Sequence, residues 1–264
     1  MRPSCFETPP REGGGAACAS LILAAGKGTR MKSDMPKVLH TLGGRPLLAW
    51  VLAAARDAGL GPQLVVVGHQ AERVKEEMSR YDEGDLRYVL QAEQHGTGHA
   101  VQVARQELLA LGEADVLILA GDVPLIRPET LRGLLAAHRE AGVALTLLSA
   151  EFEDPTGYGR ILREPSGDVV AIREHRDASE AERAVREINA GIYCFRAPSL
   201  LEALDALRPE NDQGEYYLTD TLAILRARGQ RVAARLADDP REIAGINDRE
   251  QLAALEAELE SRGD

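Results

Sequence analysis

Residues 21–37 read LILAAGKGTRMKSDMPK: an apolar run opens into a loop holding Gly26 and Gly28, and the cations Lys27, Arg30, Lys32 and Lys37 face a single Asp34. In a chain of formal net charge −11, this local positive excess has chemical content. Glycines let backbone N–H groups approach phosphate oxygens, and fixed cations neutralise charge on a leaving pyrophosphate. The stretch lacks the closing GK[ST] of a P-loop, and Thr29, Arg30 and Met31 after Gly28 break a GxGxxG dinucleotide fingerprint. Alone, it also fits a glycine turn with a solvated basic face. Asp122 is the second candidate, because it ends the apolar run VLILAGD at the carboxyl edge of a strand, where open α/β sheets bind ligands. A Mg²⁺ ligand fits there, since that ion takes one or two protein oxygens and completes its octahedron with phosphate and water. A turn cap before Pro124 fits as well. No obvious catalytic histidine or nucleophile triad accompanies these groups.

Groups of this kind need a rigid frame, and the rest of the chain supplies its pattern. Short apolar runs at Leu21–Ala24, Leu64–Val67, Leu86–Leu90, Val116–Ala120, Val143–Ala150 and Ile188–Phe195 alternate with segments of helical period. That is the signature of βαβ units feeding a mainly parallel sheet. In 46–58, Leu47, Leu48, Val51, Leu52 and Ala55 share one helical face, and Pro46 suits the first turn. The rhythm changes between about 151 and 187: a turn-rich DPTGYG, a hairpin over 160–172 and a charged stretch at 177–187, together read as an insertion over the sheet edge. Leu252, Leu255 and Leu259 mark a last amphipathic helix over 248–262. Residues 1–18, with Pro3, Pro9, Pro10 and three successive glycines, read as a disordered leader or a start-site artefact, ahead of a domain at 19–247. Ala16–Ala25 has the length of a signal-peptide apolar region, but Glu7 and Glu12 dilute its leader and the run enters the glycine loop, so a first buried strand is the better reading.

The 264 residues, 44% hydrophobic and 28% charged, describe a globular chain and exclude a collagen-like or disordered one. The acidic balance argues against a general nucleic-acid or anionic-membrane surface. Cys5, Cys18 and Cys194 are odd in number and widely spaced, which suggests neither a disulfide framework nor a zinc cluster and fits a reducing cytoplasm. No apolar run approaches the roughly 20 residues of a membrane helix, and no 20–50-residue repeat is present.

The segment LAAGKGTRM with PKVLH resembles the signature of sugar-1-phosphate nucleotidyltransferases, and most closely the uridylyltransferase half of the bifunctional N-acetylglucosamine-1-phosphate uridyltransferase (GlmU) family. Further segments match in the family's order: QAEQHGTGHA (91–100), GDVPLI (121–126), DPTGYGRI (154–161), REHRDA (173–178), EINAGIY (187–193), GEYYLTD (214–220) and GIND (245–248). The resemblance implies a Rossmann-like three-layer α/β/α nucleotidyltransferase fold with a mainly parallel sheet and a β-rich insertion over the sugar site. It implies that Leu23, Ala24, Ala25, Gly26, Gln91, Gly96 and Thr97 bind the nucleotide, that Gly159, Glu174 and Asn189 hold the amino sugar, and that Asp122 and Asn247 hold Mg²⁺. Arg30 and Lys37 are then the catalytic cations. Tyr216, Tyr217 and Thr219 resemble a wall of the sugar pocket. By themselves Asn247 reads as a helix N-cap, the GTGH stretch as a loop and helix start, and the segment of Tyr216, Tyr217 and Thr219 as an exposed helix start with a satisfied core tyrosine. His95 and His99 read as loop or helix-face residues with no chemistry.

The implied reaction joins UTP and N-acetylglucosamine 1-phosphate into UDP-N-acetylglucosamine and pyrophosphate. The sugar phosphate is already an anion at pH 7, so no general base is needed, and in-line positioning with charge neutralisation carries the chemistry. Ala120 and Ala190 stand where the family often carries hydroxyl residues, which loosens the expectation of sugar specificity. Glucose 1-phosphate with UTP or dTTP, and a nucleotide-sugar sensor without chemistry, remain the alternatives. The family continues into a β-helix acetyltransferase and this chain stops after a helix, so acetyl transfer and the trimer that domain supplies are expected to be absent. A cytoplasmic monomer is the corresponding expectation.

Overall fold

The computed structural model describes residues 18–84 and 86–262, with side chains as far as residue 257. The leader expected over 1–18 lies outside the described residues as far as 17, as does Cys5. Cys18 does not belong to a leader. It opens the first strand, β1 (Cys18–Ala24), in register with Asp115, and burial pushes its thiol up to about 12.

The elements after β1 run in chain order as follows. A two-stranded ribbon, β2 (Thr41–Leu42) and β3 (Arg45–Pro46), leads into α1 (Leu47–Asp57), β4 (Gln63–Val67), α2 (Ala71–Met78), β5 (Leu86–Leu90), α3 (Thr97–Gln102), α4 (Arg105–Ala110) and β6 (Asp115–Ala120). Then come α5 (Pro128–Ala141), β7 (Leu145–Glu151), β8 (Arg160–Arg163), β9 (Val169–Arg173), α6 (Glu180–Arg183), β10 (Glu187–Arg196), α7 (Ala197–Ala206), α8 (Asp220–Ala227), β11 (Val232–Leu236) and α9 (Arg249–Arg262).

Among the described residues the main sheet runs β11-β7-β10-β6-β1-β4-β5, with β8 and β9 attached through β10. Pairings β1·β4, β1·β6, β4·β5 and β7·β11 are parallel, and β10 runs antiparallel to both neighbours. The alternation along β1 shows why both faces must be covered. Ile22 belongs to one buried cluster with Leu52, Met78 and Leu134 of α1, α2 and α5, whereas Leu21 belongs to another with Val101, Leu200 and Leu222 of α3, α7 and α8. Every one of these side chains is fully buried. Successive strand residues point to opposite faces, so a strand apolar at consecutive positions requires a helical layer on each side. The result is the three-layer α/β/α arrangement.

Two expectations change in detail, and one strand was not expected. Pro46 is not in the first turn of α1. It is extended (φ −54, ψ 143), pairs with Thr41 and precedes the helix, so its missing N–H falls at the ribbon and not inside the helix. The hairpin β8–β9 does not lie over a sheet edge: Arg160 pairs with Ile188 at the protruding end of β10, which is interior to the sheet. β11, a strand of partly exposed residues at the sheet's edge, had no continuous apolar run to reveal it. Among the described residues no helix is long and apolar enough to cross a membrane.

Candidate active site

The parallel strands β1 and β6 end side by side, tied where Gly121 N–H donates to the Leu23 carbonyl at 3.0 Å. The glycine loop continues from β1 and Asp122 from β6, so both candidates open onto one cavity of about 690 Å³. Leu23, Ala24, Ala25, Gly26, Lys27, Arg30 and Lys37 line it from the loop side. The loop is held by what is buried behind it: Met31, Val38 and Leu39 are all within the core, leaving Arg30 exposed and Lys37 half-buried at the cavity.

Gly28 adopts a left-handed conformation (φ +60), and a Cβ there would stand 2.6 Å from the Cβ of Lys37. The contact sets where the lysine stem begins. Gly28→Ala is expected to destabilise the protein by about 1–2 kcal/mol from the left-handed backbone alone, lowering Tm by roughly 2–8 °C at this chain length. Thermal unfolding checks this, and an unchanged Tm would mean that the loop relaxes freely.

Lys37 Nζ donates to Asp122 Oδ2 and, at 3.2 Å, to Asn247 Oδ1, and Arg30 also donates to that Oδ1 at 3.2 Å. Asn247 arrives from the far end of the chain because Ile246 N–H donates to the Asp122 carbonyl at 3.0 Å. The helix-cap reading of Asn247 fails: Asp248 accepts from Gln251 N–H at 2.9 Å and performs that function at the start of α9. Leu252 and Leu255 of α9 pack on the cluster of Leu42, Leu47 and Ile246, which anchors the segment carrying Asn247.

At one end of the cavity Gln91 follows β5, its N–H donating to the Val67 carbonyl at 2.7 Å. Gly96 has φ +100, and a Cβ there would stand 2.6 Å from the Tyr216 carbonyl oxygen, so this close approach requires glycine. Thr97 Oγ1 accepts from Leu218 N–H at 3.1 Å, locking α3 to the segment before α8.

At the other end Gly159, Glu174 and Asn189 converge. A Cβ on Gly159 would lie 3.6 Å from both Glu174 Oε1 and Asn189 Cβ. The β10–β7 register breaks between Asn189 and Tyr193, and Gly191 (φ +70) turns within the bulge. Such a bulge re-aims a side chain, and here Asn189 is held at both ends of its amide: Oδ1 accepts from Gly191 N–H at 3.2 Å, and Nδ2 donates to the Tyr193 hydroxyl oxygen at 2.7 Å. Thr219 Oγ1 donates to Glu174 Oε1 at 3.1 Å. Of the three residues expected as a wall, Thr219 lines the cavity; Tyr217 is buried, with its hydroxyl accepting from Gln213, and Tyr216 lies beside His99. Tyr158, Gln94 and Lys27 also line the cavity. Tyr158 packs edge-on against Phe152 at 5.0 Å, a contact between side chains that no spacing in DPTGYG reveals.

Burial raises the Glu174 carboxyl above its ordinary value of 4.5, with the Thr219 hydrogen bond opposing the shift. A carboxyl raised in the folded state disfavours folding when ionised. The cost is absent below the unfolded value, grows as pH rises through the folded one, and is complete above it. Glu174→Gln is therefore expected to raise Tm at pH 8 and to leave it nearly unchanged near pH 4. A gain independent of pH would overturn that account.

A cavity that joins a cationic glycine loop, an acid at the end of the neighbouring parallel strand and a polar patch on an antiparallel hairpin defines a nucleotidyltransferase class of fold. The chain belongs to the MobA-like NTP transferase domain family, whose profile matches residues 20–232. It is 50% identical over 244 residues to the bifunctional protein GlmU of Heliobacterium modesticaldum, covering 92% of this chain and 52% of that protein. The GlmU protein of Streptomyces avermitilis is 52% identical over 245 residues, with 92% and 51% covered, and that of Geobacter sulfurreducens 52% over 235 residues, with 89% and 49%. The chain thus spans about half the length of these curated relatives. A crystal structure of UDP-glucose pyrophosphorylase complexed with UDP-glucose superposes with a TM-score of 0.75 over 93% of this chain and 99% of that one, at 18% identity, which establishes the shared fold.

Proposed function

We propose that this chain transfers UMP from UTP to N-acetylglucosamine 1-phosphate, releasing pyrophosphate. The observation that carries the reading is the convergence of Lys37, Asp122 and Asn247 beside the glycine loop in a cavity whose two ends present an amide and a carboxylate. The identity to GlmU proteins supports the particular substrates.

Asp122 Oδ2 and Asn247 Oδ1 already surround one cation, the Lys37 ammonium, so their oxygens can serve a common centre. A carboxylate and an amide oxygen are hard donors of the kind Mg²⁺ takes alongside phosphate and water. Mg²⁺ held by these two residues would neutralise phosphate charge as a Lewis acid. Leu23, Ala24, Ala25 and Gly26 form the floor on which the nucleotide phosphates rest. Gln91, Gly96 and Thr97 take the base, and Gly159, Glu174 and Asn189 orient the sugar. The sugar phosphate oxygen attacks the α-phosphorus in line, the bond to the bridging oxygen breaks, and Arg30 and Lys37 take up the charge on departing pyrophosphate. No side chain needs to remove a proton.

The test is pyrophosphate release from UTP with N-acetylglucosamine 1-phosphate, with Mg²⁺ and with EDTA. Metal-dependent release with this pair is expected. Release only with glucose 1-phosphate, or only with dTTP, would move the specificity, and tight UTP binding without release from any pair would overturn the catalytic reading.

A further inference from the structure

Gln91 is only 3% exposed, yet it lines the cavity. Its Nε2 lies 3.2 Å from the Gly96 carbonyl oxygen and 3.1 Å from His99 Nδ1. A carbonyl oxygen can only accept, so the end of the amide at Gly96 must be the NH₂ group. Its second hydrogen then points to His99, whose Nδ1 must be the bare nitrogen of a neutral ring. Both amide hydrogens are thereby used, and among the described residues no group donates to Gln91 Oε1.

The surroundings of His99 favour that state. The ring stands edge-on to His95 at 5.1 Å and tilted to Tyr216 at 6.4 Å. Loss of solvation, and secondarily the neighbouring His95, lower its basicity, while the Glu93 backbone carbonyl and carboxylate act the other way. His99 is not among the residues that line the cavity, whereas Gln91, which it meets through Nδ1, is.

We propose that His99 is a positioning residue for base selection: by accepting from Gln91 Nε2 it holds Oε1 toward the base, so the site requires a donor at pyrimidine N3. Uracil carries N3–H and meets this requirement. Cytosine presents a lone pair at N3, which opposes Oε1 and leaves a buried acceptor unpaired, the arrangement that discriminates most strongly between analogues. The inference rests on the reading of this cavity as a uridine-nucleotide site and adds the group that orients its reader.

The experiment compares kcat/KM for UTP and CTP at pH 8 in the unaltered protein, His99→Phe and His99→Asn. Phenylalanine keeps the ring volume without Nδ1, and asparagine returns an acceptor close to its place. The UTP:CTP ratio is expected to fall by about tenfold or more in the first, through loss of UTP and gain of CTP, and to recover in the second. A purely structural role would move Tm and depress both nucleotides alike, and a ratio unchanged in His99→Phe would overturn the proposal. Should that variant fail to fold, ¹⁵N NMR of the histidines in the unaltered protein decides. A His99 ring protonated at Nε2 and bare at Nδ1 supports the proposal, and the opposite tautomer overturns it while leaving the proposed function intact. An unaltered enzyme with no preference for UTP over CTP overturns both.

Discussion

Replacing Arg30 or Lys37 by alanine is expected to lower turnover by roughly 10²-fold or more, the scale of losing one charge-stabilising donor in a preorganised site. Both side chains donate to Asn247 Oδ1 at 3.2 Å, and Lys37 also to Asp122, so two cations meet where phosphate charge would move. Because that charge appears on the leaving pyrophosphate and not in bound UTP, kcat and kcat/KM should fall together while KM changes little. Lys37→Ala has a second readout. The ammonium holds the oxygens assigned to the metal, so its removal should tighten Mn²⁺ binding in the absence of nucleotide, measured by electron paramagnetic resonance. Turnover unchanged in either variant would remove that residue from its assigned role.

Asp122→Asn is expected to have the largest effect, a loss of about 10³-fold in metal-dependent turnover, since a Lewis-acid centre is worth several kcal/mol and each 1.36 kcal/mol is tenfold. The change keeps the shape and removes one negative charge from a position 19% exposed. Mn²⁺ affinity should weaken in parallel. Asn247→Ala, which removes a neutral oxygen, should cost less. Equal losses in the two variants would indicate that the charge of Asp122 is not what matters.

The glycine loop with its cations was legible because its parts are close in the chain. Gly28, Arg30 and Lys37 lie within ten residues of one another, and the left-handed turn at Gly28 is what glycine there permits. Asp122 was legible for a related reason, since an apolar run that ends in an acid identifies a strand terminus by itself. The end of the cavity at Gly159, Glu174 and Asn189 was singled out only through resemblance. Nothing in the types or spacing of Gly159, Glu174 and Asn189 brings them together, and their meeting depends on β8 pairing with β10 at Arg160 and Ile188 and on the bulge at Gly191. Tyr216, Tyr217 and Thr219 resemble a wall of the pocket in sequence, but only Thr219 of the three lines the cavity.

His99 is the clearest omission. Its position on α3 reads as an ordinary helix face, and its relation to Gln91 appears only once the chain turns back at Gly96.

The sequence by itself determined the alternation of buried strands and amphipathic helices, the glycine loop with its clustered cations and the acid at a strand end, because periodicity and turn chemistry are properties of neighbouring residues. Only the tertiary structure decided that Asn247 joins Lys37 and Asp122 across 210 and 125 residues, that β10 runs antiparallel in the middle of the sheet, and which way the Gln91 amide faces. Those outcomes depend on strand order, register and packing among segments far apart in the chain, where many pairings satisfy the local pattern and only the assembled core selects one.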